Sequence, residues 1–429
     1  MRRVLVLASA LVFLALGCEA RPAQADVAHV DRSFGDQGAL MLSSRLEEVS
    51  ETTMLADGRI VIAGHQRILA LLPSGRVDTG FGEAGFAPLN LPAGATSASI
   101  ATVAVDGQGG LVVGGNSSPP TRLLVERFTP SGQLDRSFGG GGFLSTDLGL
   151  PPPTRTEPPT VLARSAVLDG QGRIVLSGVR LAGSYIYKGF TLGRYEAFFT
   201  RFSGNGDVDT SFGSGGVLRL PDAEGAGAPV ADGRAGVYFA SGGNLVHLGD
   251  DGRVDPGFGQ DGGRPRPKGT DSNPVLDPLG RVLTYGYLQG SKEHRVANGL
   301  LIKRLLPDGS TDPSFGDDGA VVFRLPRLYT ARVGVDAKGG VLIAAALKQR
   351  RQQGRHPALP AGLALARLRP GGSVDAGFGQ SGVVSIPFRR NRDLTIEDLD
   401  VVGDAALLSG TWCGGGCGMA LARFRLGSG

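Results

Sequence analysis

Apolar residues along this chain come in short runs broken by polar turns, and no run acquires the 3.6-residue spacing of a helix face. Ile60-Val61-Ile62-Ala63 follows the turn Asp57-Gly58, and Leu111-Val112-Val113 follows Asp106-Gly107-Gln108-Gly109. Ile174-Val175-Leu176 follows Asp169-Gly170-Gln171-Gly172, and Val341-Leu342-Ile343-Ala344 follows Asp336-Ala337-Lys338-Gly339. Each turn is preceded by another apolar run, as at 101–105 and 165–168. A tight polar turn between two such runs predicts a β-hairpin. A further run, with an Arg or Lys near its end, closes each unit at 123–128, 300–305, 363–368 and 419–424. The unit therefore reads as about four short strands.

A fixed phrase separates the units. Its fullest copy is Gly309-Ser310-Thr311-Asp312-Pro313-Ser314-Phe315-Gly316-Asp317-Asp318-Gly319, or G-x-x-D-x-x-F-G-x-x-G. The Asp and Phe recur together seven times, as Asp31/Phe34, Asp78/Phe81, Asp135/Phe138, Asp209/Phe212, Asp255/Phe258, Asp312/Phe315 and Asp375/Phe378. An apolar run follows each copy, as at 39–42, 320–323 and 383–386. The Phe residues are spaced by 47, 57, 74, 46, 57 and 63 positions. Repeats of this period point to propellers or solenoids. Four strands per unit and seven units predict an all-β fold, a seven-bladed β-propeller, whereas the coils of a β-solenoid are shorter and more uniform. The fourth unit fits loosely, around 232–239.

The segment Leu306-Pro307-Asp308-Gly309-Ser310-Thr311-Asp312-Pro313-Ser314-Phe315-Gly316, with the Asp-Gly-type turn and apolar run that follow the phrase, resembles the delta-60 repeat, a bacterial β-propeller repeat. The resemblance runs over about residues 26–429. It implies a propeller of undefined function, often on exported proteins, and carries no catalytic residues. Read physically, the phrase glycines supply positive-φ positions. The Asp caps turn N–H groups, and the Phe plugs between neighbouring blades. This makes the phrase the expected joint between successive blades. A ring of Asp side chains binding Ca²⁺ is the competing reading, but one repeated Asp per loop falls short of the roughly 6–8 oxygens calcium takes. The C-terminal 423–429 reads as the front of a phrase and 27–35 as the back of one, so the two ends are expected to meet.

Composition changes the picture at the N-terminus. Arg2 and Arg3 precede thirteen uncharged residues, 4–16, too short a stretch to span a bilayer, which reads as a signal peptide. Residues 1–25 are thus assigned to a signal and short linker, and 26–429 to one propeller domain. Ala15-Leu16-Gly17-Cys18 resembles a lipobox, which would make Cys18 a lipid-bearing residue. Ala23-Gln24-Ala25 is a rival cleavage site that would release a soluble chain from Asp26. The three cysteines divide accordingly: Cys413 and Cys417 as a disulfide, and Cys18 as the odd one. The expected localisation is an outer-membrane or cell-surface lipoprotein, or periplasmic or secreted after cleavage.

Net charge is +4 and the pI about 9.1, a mild excess that favours anionic partners without marking a nucleic-acid binder. Alternating strand direction places the Asp-Gly turns and the phrases on one face and the longer loops, 151–159, 181–194, 288–298 and 347–360, on the other. Function gathers on such loops. Basic residues assigned to that long-loop face are Arg264, Arg266, Lys268, Lys292 and Arg295, then Lys348, Arg350, Arg351 and Arg355, then Arg389, Arg390 and Arg392. They suit an anionic surface polymer, or an envelope protein, as partner; their alternative role is a solvated, solubilising rim. The membrane is reached only through a lipid anchor. No cofactor or metal is implied: the histidines His29, His65, His247, His294 and His356 form no metal-ligand spacing, and no nucleophile elbow stands out. An exported hydrolase or lyase in the propeller channel remains the alternative, because residues on separate blades converge without a linear motif.

Overall fold

The computed structural model describes residues 27–43, 51–64, 66–118, 121–149, 160–187, 190–220, 227–241, 243–259, 263–265, 273–288, 299–349, 361–388, 393–413 and 417–427. The described residues form strands and turns and no helix. The strands make seven antiparallel sheets in a ring, a seven-bladed β-propeller. Blade 1 shows the plan: Glu51–Met54, Ile60–Ala63, Arg67–Leu71 and Phe86–Pro88 pair in chain order. The first strand of each blade lies innermost, around the axis. These inner strands are Glu51–Met54, Ser97–Val105, Val161–Leu168, Val230–Ala231, Val275–Leu276, Leu328–Val335 and Asp398–Val402. The loosely fitting fourth unit keeps all four strands.

The phrase does not occupy the joint expected of it. It connects the third and outer strands of one blade: Leu69 on the strand before it pairs with Phe86 on the strand after it. The covalent passage to the next blade is the loop that follows the outer strand, as at 89–96. The correction applies to every copy, so Phe34, Phe81, Phe138, Phe212, Phe258, Phe315 and Phe378 each sit on a turn within a blade rather than on a crossover between two. A repeating meander of similar hairpins carries no mark of where a sheet begins, so the strand order alone could not place the break.

The ring closes by strand exchange. Blade 7 takes its first three strands from the C-terminal end, and its outer strand, Ala39–Ser43, from the N-terminal end, paired with Cys417–Gly427. Val27 pairs with Gly427 and His29 with Arg425, so the two chain ends meet as the split phrase requires.

There is no single core. Seven apolar clusters each fill one seam between neighbouring blades, and each takes in one phrase Phe. Phe34 of blade 7 packs against Met54, Ile60 and Leu71 of blade 1. Phe81 of blade 1 joins Ile100 and Val113 of blade 2, and Phe138 of blade 2 joins Val161 and Leu176 of blade 3. Phe212 meets Val237 and Phe239 of blade 4, and Phe258 meets Val282 and Leu305 of blade 5. Phe315 of blade 5 packs against Ala331 and Ile343 of blade 6, and Phe378 of blade 6 against Ala406 and Leu408 of blade 7. The plug role therefore stands although the crossover role does not. All seven are at most 1% exposed, so none presents a surface to a ligand, and each contributes about 2 kcal/mol of burial to a seam.

The glycine after each Phe makes this insertion possible. Gly316 has φ +61°, and a Cβ there would sit 2.2 Å from the Ala320 carbonyl oxygen. Its N–H donates to Gly371 O of blade 6 at 2.9 Å, so the phrases knit the blades by hydrogen bond although they do not join them covalently.

Candidate functional site

The phrase face is built for cohesion. Asp312 Oδ1 accepts the Ser314 N–H at 2.9 Å, the turn-capping bond expected of it, and the same bond forms at all seven copies. The other oxygen, Oδ2, is taken by an arginine. Arg304 lies eight residues upstream, on the third strand, and its Nε donates to Asp312 Oδ2 at 2.8 Å. Its Nη2 donates to Ser314 Oγ at 3.2 Å, and its Nη1 to Pro370 O of the next blade. The guanidinium lies 4.5 Å from the Phe315 ring centroid. Arg127, Arg201 and Arg367 repeat the arrangement with Asp135, Asp209 and Asp375, and lie over Phe138, Phe212 and Phe378. These carboxylate oxygens each accept a bond from a neighbouring donor, the cohesive role read from the turn. Burial works to raise the Asp312 carboxyl, but its bonds to Ser314 and the Arg304 charge hold it below the usual carboxylate range. The arginines are a signal the sequence reading misses, although their constant spacing of eight before the Asp is available to find them.

Three blades vary the theme. In blade 7 Arg423 holds the equivalent place and donates to Pro73 O at 2.8 Å, but Arg425 Nε is what donates to Asp31 Oδ2, at 3.0 Å. In blade 1 the equivalent position is Ala70, and Arg59 from the neighbouring turn reaches Asp78 at 3.5 Å and Pro130 O at 2.8 Å instead. In blade 4 the position is His247, which contacts Asp255 at 2.9 Å through Nδ1 and Asp232 at 3.2 Å through Nε2. It stacks on Tyr238 with ring centroids 4.3 Å apart, and the Phe258 ring lies 5.9 Å away. Burial disfavours the imidazolium, but the two carboxylates outweigh it and raise the pKa above 6.5. The stability His247 contributes is therefore present below pH 6.5 and lost as pH rises through the raised value. His247→Arg is expected to keep that contribution at alkaline pH. Urea midpoints of the two proteins, compared in acid and in alkali, should converge in acid and separate in alkali; parallel midpoints would contradict this role.

The concave site lies on the axis. A cavity of about 1470 Å³ is lined by residues from all seven blades and reaches the long-loop ends of the strands. Local geometry explains its charged residues. Register shifts between Ile100 and Thr102 and between Ala163 and Ser165 lift Ala101 and Arg164 out of the ladder at the channel wall. Arg332 on blade 6 also lines it, donating from Nε to Glu397 O at 2.8 Å. Beyond Arg332, on blades 7 and 1, stand Asp398, Asp400 and Glu51. Leu399 and Val401 pack into the seam with blade 6, so the alternate residues Asp398 and Asp400 face blade 1. Asp400 Oδ2 accepts the Met54 N–H at 2.8 Å, and Glu51 Oε2 accepts the Val103 N–H at 2.5 Å. These bonds staple inner strands across seams; elsewhere neutral groups do the same, as Thr102 with Ala166 N and Thr330 with Ile396 N.

The three carboxyls border the channel but are set deep in the ring. Burial, with the Asp398 charge nearby, pushes Glu51 up from 4.5 to about 7, against the hydrogen bonds from Val103 and Thr102. Burial also raises Asp398, and burial with the charges of Asp398 and Glu51 raises Asp400 further. Near pH 7 Glu51 is poised between its neutral and charged forms, so it can present a hydrogen-bond donor as well as an acceptor. Among the described residues no group of three or more His, Cys, Asp and Glu side chains is placed to hold a metal ion.

Of the basic residues assigned to the long-loop face, Lys348 lies there, at the end of a second strand, with Nζ 4.2 Å from the Tyr329 ring centroid. Arg264 does not. It sits at the phrase end of an outer strand and donates to Thr311 Oγ1 of the next phrase at 3.2 Å. Its place follows from the strand order: the run after a phrase starts on the phrase face. Arg266, Lys268, Lys292, Arg295, Arg350, Arg351, Arg355, Arg389, Arg390 and Arg392, with Cys18 and His65, lie outside the described residues. Cys413 and Cys417 are joined in a disulfide across a hairpin, and Cys417 borders the cavity. Glu51, Arg164, Arg332, Asp398 and Asp400 are not singled out by the sequence. They are isolated charges on three strands and a pair on a fourth, and the signal becomes usable only once those strands are known to be innermost.

Residues 109–138, from the second strand of blade 2 to its phrase Phe, match a family described as a domain of unknown function (DUF5122) beta-propeller. That stretch supports a β-propeller repeat family. No curated protein matches the chain. Among solved structures, a protein of unknown function from Bacteroides caccae is similar at 12% identity and a TM-score of 0.37, over 78% of this chain and 100% of that one. An acylaminoacyl peptidase from Pyrococcus horikoshii is similar at 10% identity and a TM-score of 0.43, over 86% of this chain and 52% of that one. A gluconolactonase from Xanthomonas campestris is similar at 12% identity and a TM-score of 0.31, over 95% of this chain and 100% of that one. At these values the three say nothing of substrate or chemistry.

Proposed function

We propose that the chain is an exported cell-envelope propeller of the delta-60 repeat kind that binds an anionic polysaccharide on its long-loop face, with the channel mouth as its seat. The observation that carries this reading is the cavity on the axis, which reaches the long-loop ends of the strands and has Arg164 and Arg332 on its wall. Lys348 lies on the same face. A concave polar site on a rigid scaffold is the default place for a ligand, and guanidinium groups suit carboxylate and sulfate. Glu51, poised near pH 7, repels an anion less than a fixed charge would and offers a donor to sugar hydroxyls. The signal-like N-terminus, the lipobox-like Cys18 and the Cys413–Cys417 disulfide support an oxidising compartment outside the cytoplasm. Calorimetry with heparin, against a neutral glucan, tests the reading. Heparin should bind, and Arg164→Ala or Arg332→Ala should weaken it about tenfold, the loss of one charge-assisted contact. Wild-type protein that ignores heparin, or binding unmoved by both variants, would sink the reading.

A hydrolase or lyase in the channel is the second reading. Its supporting observation is a carboxyl held near pH 7 beside two further carboxyls in a concave site, the protonation state a general acid needs. Release of reducing ends or unsaturated products from the same polysaccharides, lost in Glu51→Gln, would favour it over simple binding.

A further inference from the structure

We propose that the lipid-anchored protein stands with its phrase face toward the bilayer, and its long-loop face, with the channel mouth, away from it. The inference rests on the anchor reading above and goes on to the geometry of the first described strand. Val27–Val30 runs along the end of the third strand of blade 7, with Val27 opposite Gly427 and Val30 opposite Phe424. That third strand, Cys417–Gly427, starts at the long-loop face and ends at the phrase face. The chain therefore enters the ring from the phrase end, on the outer rim.

Tether length then limits what the anchored ring can do. Nine peptide steps separate Cys18 from Val27, a reach of at most about 30 Å when fully extended. The strand beside it has 11 residues, ten steps or about 33 Å at the usual rise. A tether laid straight along the blade would be spent by the time it reached the long-loop face, whereas every step of it is free to span toward a bilayer on the phrase side. The cavity wall with Arg164 and Arg332 is then presented outward, to polymer beyond the membrane rather than to lipid headgroups.

The test uses the full chain with its own N-terminus, made in a bacterial host and reconstituted into phosphatidylcholine vesicles that carry an acceptor dye on their headgroups. Two single-thiol variants are labelled with a donor: Arg136→Cys, exposed on the phrase face, and Ala93→Cys, exposed on a loop of the opposite face. Energy transfer to the membrane should be severalfold stronger from position 136 than from position 93. Equal transfer, or stronger transfer from 93, overturns the orientation while leaving the anchor intact. Vesicle flotation and the mass of the N-terminal peptide are read separately. A soluble chain that begins at Asp26 removes the anchor reading and this inference with it.

Discussion

Asp312→Ala is expected to cost about 3–5 kcal/mol of stability, the penalty of leaving a buried guanidinium without its counter-charge. Arg304 is 1% exposed and Asp312 is 3% exposed. The variant strands four donors: Arg304 Nε, Arg281 Nη1, and the N–H and hydroxyl of Ser314. With the turn uncapped, the Arg304 bonds to Ser314 Oγ and to Pro370 O of blade 6 lose their alignment. Burial and the charge of Arg281 already press Arg304 toward its neutral form, and the Asp312 charge is what opposes them. Arg304→Lys should be nearly as damaging. One ammonium on a flexible stem cannot serve a carboxylate, a hydroxyl and a carbonyl in a plane while lying over Phe315. The paired change Arg304→Met with Asp312→Leu should recover much of the loss, because it removes both charges together. Urea unfolding of the four proteins measures this. A single mutant within about 1 kcal/mol of wild type, the size of a surface pair, would show that these clusters are not what binds the blades.

Glu51→Gln is expected to act in the opposite direction, stabilising the ring near neutral pH. The folded state raises the Glu51 pKa from 4.5 to about 7, so between those values it holds a proton that the unfolded chain gives up. Its favourable contribution is present below pH 4.5 and is lost as pH rises toward 7. The shift sets a ceiling of about 3 kcal/mol; because Glu51 borders solvent, about 1–2 kcal/mol is the expected gain for a glutamine that accepts the Val103 N–H without carrying charge. The slope should shrink rather than vanish, since burial raises Asp398 and Asp400 in the same direction, while Arg332 partly offsets Asp398. Below this window the sign reverses. Asp31, Asp135, Asp209, Asp312 and Asp375 are all held low by their partners, and protonating them removes the charge their arginines need. Unfolding free energies at several pH values decide the matter. A variant that tracks wild type from acid to alkali would show that Glu51 is not the titrating group.

The two effects lie at opposite radii of the same ring, and they are unequally visible in the sequence. Asp312 and Phe315 can be read because the blade needs them every time: a turn that turns back on itself needs its N–H capped, and a seam needs an apolar plug. Phe81, Phe138, Phe212, Phe258 and Phe378 fill the other seams as Phe34 and Phe315 do, and seven repetitions lift such a requirement above noise. What the repetition could not convey is whether the turn that carries each Phe lies within a blade or between two. Arg304 obeys the same logic, and its spacing is available, but it sits inside a strand where an amphipathic arginine also reads as surface. Arg264 is misplaced by the sequence because the face a residue occupies depends on which end of its strand it lies at. The carboxyls are different in kind. Glu51 precedes Asp398 by most of the chain length, and nothing repeats between them.

By itself the sequence determined the blade: its four strands, its turns, its Phe plug, the number of copies and the meeting of the two ends. These follow from local rules, alternation, tight-turn chemistry and positive-φ glycine, that act within a few residues and recur. Only the tertiary structure decided which strand is innermost, that the phrase lies within a blade, and that the ring closes by exchange of the N-terminal strand. It alone brought Glu51 to Asp398 and Asp400 and set Arg164 and Arg332 on the walls of one cavity. The physical reason is closure. A meander has no preferred origin until the ring forces one strand of each sheet to the axis, and only that strand's exposed side chains share a common space.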